Sequence, residues 1–166
     1  PISRPGVACR SGAVSMSSDL RELYQSMILD HNKRPRNYCK PACANRSAEG
    51  INPLCGDQIT VYLDVEDGIV KDVGFGGTGC AISTASASLM TQSIKGMKIE
   101  DAEHLFREFR EMVTSDPLSK VEDEELGKLA VFSGVREFPM RVKCATLAWH
   151  AMSEALHDTG KTATTE

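Results

Sequence analysis

An α+β fold, a small three-stranded antiparallel sheet with helices packed around it, is what this 166-residue sequence predicts. Three observations point there. Two strand-like runs meet at Asp67-Gly68, the preferred chemistry of a tight hairpin turn. Helix-period patterns lie before and after those runs rather than alternating with them. Apolar residues make up 41% and charged residues 25%, and no repeat or linker interrupts the chain, so one domain with a real core is expected.

The elements follow in order. Residues 1–17, beginning PISRPGVACRSGAVS, have arginines but no acids and no apolar stretch of signal-peptide length. They read as a disordered or added leader, with a transit-peptide remnant as the alternative, ahead of a single domain at 18–157. Asp19-Leu20-Arg21-Glu22 has the form of a capping box. Leu20, Leu23, Tyr24, Met27 and Ile28 then mark an amphipathic helix ending near His31-Asn32, before Pro35. Residues 33–50 read as a long loop. Ile59, Val61, Leu63 and Val65 alternate with polar or half-polar neighbours as a half-buried strand, and Ile69 to Phe75 returns beside it. A helix of small residues follows Cys80. Ala102, Phe106, Phe109 and Val113 define another over 99–113. Residues 121–133 read as helical despite Gly127, and a last helix spans about 140–157. The end, DTGKTATTE (158–166), reads as a disordered tail.

Net charge is −4, which gives no reason to expect nucleic acid as a partner, and no apolar run approaches membrane-spanning length. Six cysteines without a secretion signal point to a reducing cytosol rather than a disulfide framework.

Three of those cysteines stand at element ends. In NPLCGD, Cys55 and Asp57 are two residues apart, and extended chain would turn both to one side. Cys80 in GTGCAIS and Cys144 in RVKCATLAWHA each lie near the start of a predicted helix, where the dipole favours thiolate. Cys144, Ala148, Ala151 and Ala155 share a small-residue face. Three thiolates and a carboxylate make a complete tetrahedral set for Zn²⁺. Iron–sulfur clusters also take thiolates, normally four. The other reading is that each cysteine is simply a small buried apolar residue.

Several further features have two readings. Gly74-Phe75-Gly76-Gly77-Thr78-Gly79 matches the G-x-G-x-x-G dinucleotide fingerprint, with Glu100 about twenty residues beyond. The strand before it belongs to an antiparallel hairpin, which argues against a βαβ unit and for glycines that place Cys80. Cys39 and Cys43 form a CxxxC in the predicted loop, either a second metal or redox pair or two unrelated thiols. His31, Lys33, Arg34 and Arg36 read as a solvated helix end, or as a docking patch for an acidic partner. His104 and His150 read as surface or satisfied core residues, and Trp149 as packing.

Together NPLCGD, GTGCAIS, RVKCATLAWHA and the early LYQSMILDHNKRPRN resemble the IscU/NifU-type family of iron–sulfur cluster assembly proteins, and within it the SufU branch, over roughly residues 19–157. The resemblance implies a metal site of Cys55, Asp57, Cys80 and Cys144. It also implies a pyridoxal-phosphate cysteine desulfurase, SufS-like, as partner, together with other SUF assembly proteins. In the IscU branch a histidine precedes the last cysteine, where this chain has Lys143. The stretch SDPLSKVEDEELG resembles an insertion of the SufU branch. SufU-like proteins are zinc-dependent sulfurtransferases, which implies that Cys55 accepts persulfide sulfur. The alternative is an IscU-type scaffold that builds a [2Fe–2S] cluster on the same ligands. Arg141 is placed to favour a nearby thiolate or to pair with Asp57.

Overall fold

The computed structural model describes residues 12–120 and 124–165. Its elements are α1 (Gly12–Lys33), β1 (Arg46–Asn52), β2 (Asp57–Glu66), β3 (Ile69–Thr78), α2 (Ala81–Ile94), α3 (Ile99–Thr114), a 3-10 segment (Gly127–Glu137), α4 (Pro139–Leu156) and β4 (Ala163–Thr164). The class is the expected α+β. The strand count is not: the sheet has four strands, in the order β3-β2-β1-β4.

The β2–β3 hairpin follows directly from its sequence. Asp67 and Gly68 have φ of 54° and 73°, the two left-handed positions of a turn that matches strand twist. Along β2 burial alternates strictly, and Asp57, Ile59, Val61, Leu63 and Val65 all face inward. β1 pairs antiparallel with β2 from Arg46↔Leu63 to Asn52↔Asp57. It occupies part of the stretch 33–50 expected to be loop. Its sequence, RSAEGIN, contains few strong strand formers, and it is a strand because β2 and the helices supply its partners.

Helices α2 and α4 cover the inward face. A Cβ on Gly50 of β1 would sit 3.1 Å from Leu147 and 3.3 Å from Ala151, so α4 lies directly on the strand backbone. Trp149 of α4 is fully buried, stacks on Phe109 of α3 at 4.7 Å between ring centroids, and donates Nε1–H to Ser86 Oγ of α2 at 3.1 Å. One indole thereby ties three helices together. The predicted α3 face of Ala102, Phe106, Phe109 and Val113 is buried as expected.

Other boundaries differ. α1 begins at Gly12, inside the stretch read as leader, so position 19 lies within the helix rather than at its cap. Tyr24, Met27 and Ile28 pack against the core, whereas Leu23 faces solvent, and the Leu20 side chain lies outside the described part. Residues 1–11 also lie outside it. The expected helix over 121–133 is instead a 3-10 segment from Gly127; residues 121–123 lie outside the described residues. Gly127 has φ of 52°, which no α-helical residue adopts. The tail is not wholly irregular, because β4 pairs with β1 in parallel, Gly50↔Ala163 and Ile51↔Thr164. Among the described residues no helix is long and apolar enough to cross a membrane.

His31 is a further correction. Rather than sitting in a solvated helix end, it is buried, with Nδ1 2.7 Å from Ser88 Oγ of α2. Burial pushes its pKa below the ordinary 6.5, and Arg36 pushes the same way. Burial likewise lowers that of His150. In the folded state both rings favour the neutral form, so the unfolded chain binds more protons below 6.5 and stability falls there as pH falls. Denaturant unfolding between pH 7.5 and 5 is expected to show the midpoint dropping below about pH 6.5. His31→Gln should reduce that slope, and an unchanged slope would show that His31 is not desolvated.

Candidate metal and thiol centre

Asp57 is the inward-facing first residue of β2, and its carboxylate is 3% exposed. A buried charge needs partners. The backbone N–H of Cys80 donates to Oδ1 at 3.0 Å, and the Ser83 hydroxyl donates to Oδ2 at 2.5 Å. The carboxylate is thus bound to the start of α2, some distance away in sequence but adjacent in space.

Cys55 and Asp57 do meet, although not by the alternation of extended chain. Residues 53–56 form the turn joining β1 to β2, with Cys55 N–H donating to Asn52 O at 3.2 Å. Asn52 and Asp57 are paired across the hairpin, and Cys55 stands on its loop. Cys80 arrives from the end of β3. A Cβ on Gly77, where φ is +106°, would fall 2.1 Å from Gln58 O, so only glycine lets the chain pass β2 on its way to α2. This is the service the GFGGTG stretch performs, and β3 is an antiparallel hairpin partner rather than part of a βαβ unit. Cys80 itself caps α2, with its Sγ 3.4 Å from the Ser83 N–H.

Cys144, in the second turn of α4, completes the group. The donor atoms of Cys55, Asp57 and Cys144 lie within 4.8 Å of one another. Cys144 Sγ is 3.7 Å from Cys55 Sγ, and Cys80 stands against Cys144 although not within 4.8 Å of all three donors. Cys144 is buried, which pushes its thiol well above its ordinary range, helped by the charge of Cys80. The expectation of a helix-start thiolate therefore fails for Cys144: the dipole fades beyond the first turn, and burial wins.

Two residues that the sequence does not single out support these donors. Asn52, fully buried, points Nδ2 at Cys144 Sγ at 3.7 Å, and its Oδ1 has no hydrogen-bond partner among the described residues. Ser83 touches Asp57, Cys80 and the Cys144 carbonyl. Small polar residues leave no periodicity to read. The one available signal is their place inside the motifs NPLCGD and GCAIS.

The remaining candidates lie elsewhere or do less. Arg141 does not pair with Asp57; its guanidinium lies over the Phe138 ring at 4.3 Å. Lys143 is half-buried and is not among the clustered donors. Cys39 and Cys43 are exposed on the loop before β1. His104 is exposed, with Glu125 at 3.1 Å and Glu108 at 3.7 Å as ion-pair partners. Leu54, beside Cys55 in the chain, is exposed, as are Phe138 and Met140 at the start of α4.

A buried thiol, an exposed thiol, a helix-capping thiol and a hydrogen-bonded carboxylate converge on one end of this sheet. The pattern of the NifU-like N terminal domain matches residues 23–158. The chain belongs to that family. It is 39% identical over 145 residues to the zinc-dependent sulfurtransferase SufU of Bacillus subtilis, covering 86% of this chain and 95% of that one. It is 42% identical over 137 residues to the iron–sulfur cluster assembly scaffold protein IscU of Thermotoga maritima, covering 81% and 92%. A crystal structure described as a SUF-system scaffold protein of Fervidobacterium islandicum superimposes with a TM-score of 0.73 at 32% identity, covering 82% of this chain and 98% of that one.

The donor set fits zinc chemically, since sulfur and carboxylate oxygen are both zinc ligands and their atoms already converge. A neutral Cys144 thiol must lose its proton to ligate. Loading the metal-free chain with Zn²⁺ at pH 7 is therefore expected to release protons, counted with a pH indicator in weak buffer. Cys144→Ser should lower the count by about one. An unchanged count would remove Cys144 from the ligand set.

Proposed function

We propose that this chain is an iron–sulfur cluster assembly protein acting as a zinc-dependent sulfur acceptor, with a pyridoxal-phosphate cysteine desulfurase as donor. Cys55, Asp57, Cys80 and Cys144 would hold the metal. The observation that carries the reading is an asymmetry among the donors. Asp57, Cys80 and Cys144 are each fixed by buried polar groups or helix backbone. Cys55 is exposed on a turn, and its thiol contact is with Cys144. Cys80 is exposed too but is held by the Ser83 N–H, so Cys55 is the donor with the fewest restraints.

When bound, zinc would keep thiols deprotonated at neutral pH. The rest is the work of the chain. Cys55 as thiolate attacks the terminal sulfur of a donor cysteine persulfide. A new S–S bond forms on Cys55, the donor's S–S bond breaks, and the donor cysteine leaves as thiolate. Exposed Leu54, next to Cys55 in the chain, offers an apolar contact suited to a protein donor rather than a small solute. The 39% identity to SufU supports this reading.

The kinship to IscU favours a second reading, in which the same residues build a [2Fe–2S] cluster as cargo. Metal and acid-labile sulfide content of protein purified without oxygen separates the two. About one zinc per chain without sulfide supports the acceptor, and iron with sulfide supports the scaffold.

Cys55→Ala should fold, bind zinc weakly and accept no sulfur from a desulfurase supplied with cysteine, read as the absence of a persulfide mass shift. Retained acceptance would overturn the assignment of Cys55.

A further inference from the structure

Ser83 is 1% exposed and sits one turn into α2. Its hydroxyl donates to Asp57 Oδ2 at 2.5 Å and lies 3.3 Å from the Cys144 carbonyl. Its backbone N–H is 3.4 Å from Cys80 Sγ, and the Cys80 thiol is 3.6 Å from its hydroxyl. A single residue therefore hydrogen-bonds two donors, Asp57 of β2 and Cys80 at the β3–α2 junction, and packs against the backbone of a third, Cys144 of α4.

We propose that Ser83 is the positioning residue that presets Asp57, Cys80 and Cys144 as a three-donor seat, so that metal is retained when Cys55 leaves. The inference rests on the metal reading above and deepens it. Its physics is geometric. A carboxylate with both oxygens hydrogen-bonded cannot rotate freely, so the lone pairs left for a metal keep a fixed direction. The hydroxyl proton goes to the nearer and charged acceptor, Asp57, so the Cys144 carbonyl 3.3 Å away packs against the same oxygen without a hydrogen bond. Cys80 is held by the N–H of the same residue, so displacement of Ser83 would disturb all three donors together.

The test measures Zn²⁺ affinity by chelator competition, and the Co²⁺ ligand-field spectrum, in wild type, Ser83→Ala, Cys55→Ala and the double variant. Unfolding of the metal-free chains serves as the control for stability. Ser83→Ala is expected to bind Zn²⁺ about 10–100-fold more weakly and to shift the Co²⁺ bands, while the metal-free chain still unfolds cooperatively. The same loss or a larger one is expected in the Cys55→Ala background, and Ser83→Thr, which keeps the hydroxyl, should restore most of the affinity. Unchanged Zn²⁺ affinity in Ser83→Ala, or a loss that vanishes once Cys55 is absent, would overturn this proposal and leave the acceptor reading intact. A wild-type chain that takes up neither metal would overturn both. Sulfur acceptance by Cys55→Ala would bear on the acceptor reading alone, because the metal titration does not depend on it.

Discussion

The structure turns on a carboxylate placed where a strand's alternation calls for an apolar side chain. Asp57 continues the inward stripe of Ile59, Val61, Leu63 and Val65. An uncompensated carboxylate in that position would cost several kcal/mol. The compensation comes from the N–H of Cys80 and the hydroxyl of Ser83. That requirement draws the start of α2 against the start of β2, which in turn brings β3, with its permissive Gly77, across Gln58. The same two hydrogen bonds that make Asp57 tolerable thus fix Cys80 beside Asp57 and place Ser83 against the backbone of Cys144. The site and the fold share one constraint.

Much of this was legible in the sequence. The hairpin at Asp67-Gly68, the α3 face and the buried Trp149 followed from turn chemistry and 3.6-residue spacing. The three motif cysteines and Asp57 stood out because each sits in a short, unusual context, and the structure brings the donors of Cys55, Asp57 and Cys144 together. What failed did so for identifiable reasons. β1 was hidden because RSAEGIN is a strand by partnership rather than by propensity. The start of α1 was misplaced because a good capping sequence can lie inside a longer helix. The Cys55–Asp57 pairing was right for the wrong reason, since a hairpin loop rather than extended chain brings them together. Helix position suggested an acidic Cys144, but burial is invisible to a dipole argument. Ser83 and Asn52 went unassigned, and His31 was read as solvated, because a hydrogen bond between distant residues leaves no pattern along the chain.

The stretch resembling a branch-specific insertion is anchored rather than loose where the structure describes it. Arg136 of the 3-10 segment donates to the carbonyls of Asp116 and Ser119, each at 3.0 Å, and to that of Ser133 at 2.8 Å. One guanidinium fastens the chain leaving α3 to the segment that delivers Pro139 and α4.

The two-residue β4 has a consequence out of proportion to its length. It covers the outer edge of β1 at Gly50 and Ile51, with Thr165 N–H adding a bond to Ile51 O. On the far side, Asn37 O takes the N–H of Phe75, and the Gly96–Lys98 stretch pairs with the start of β3. Both margins of the sheet are thus partly covered, one by the two-residue β4 and the other by short stretches outside the sheet. A sheet trimmed in this way is a poor template for strand addition, whether by a partner or by another copy of itself. Strand addition is thereby discouraged at both margins, and the Cys55 turn lies at one of the two ends between them.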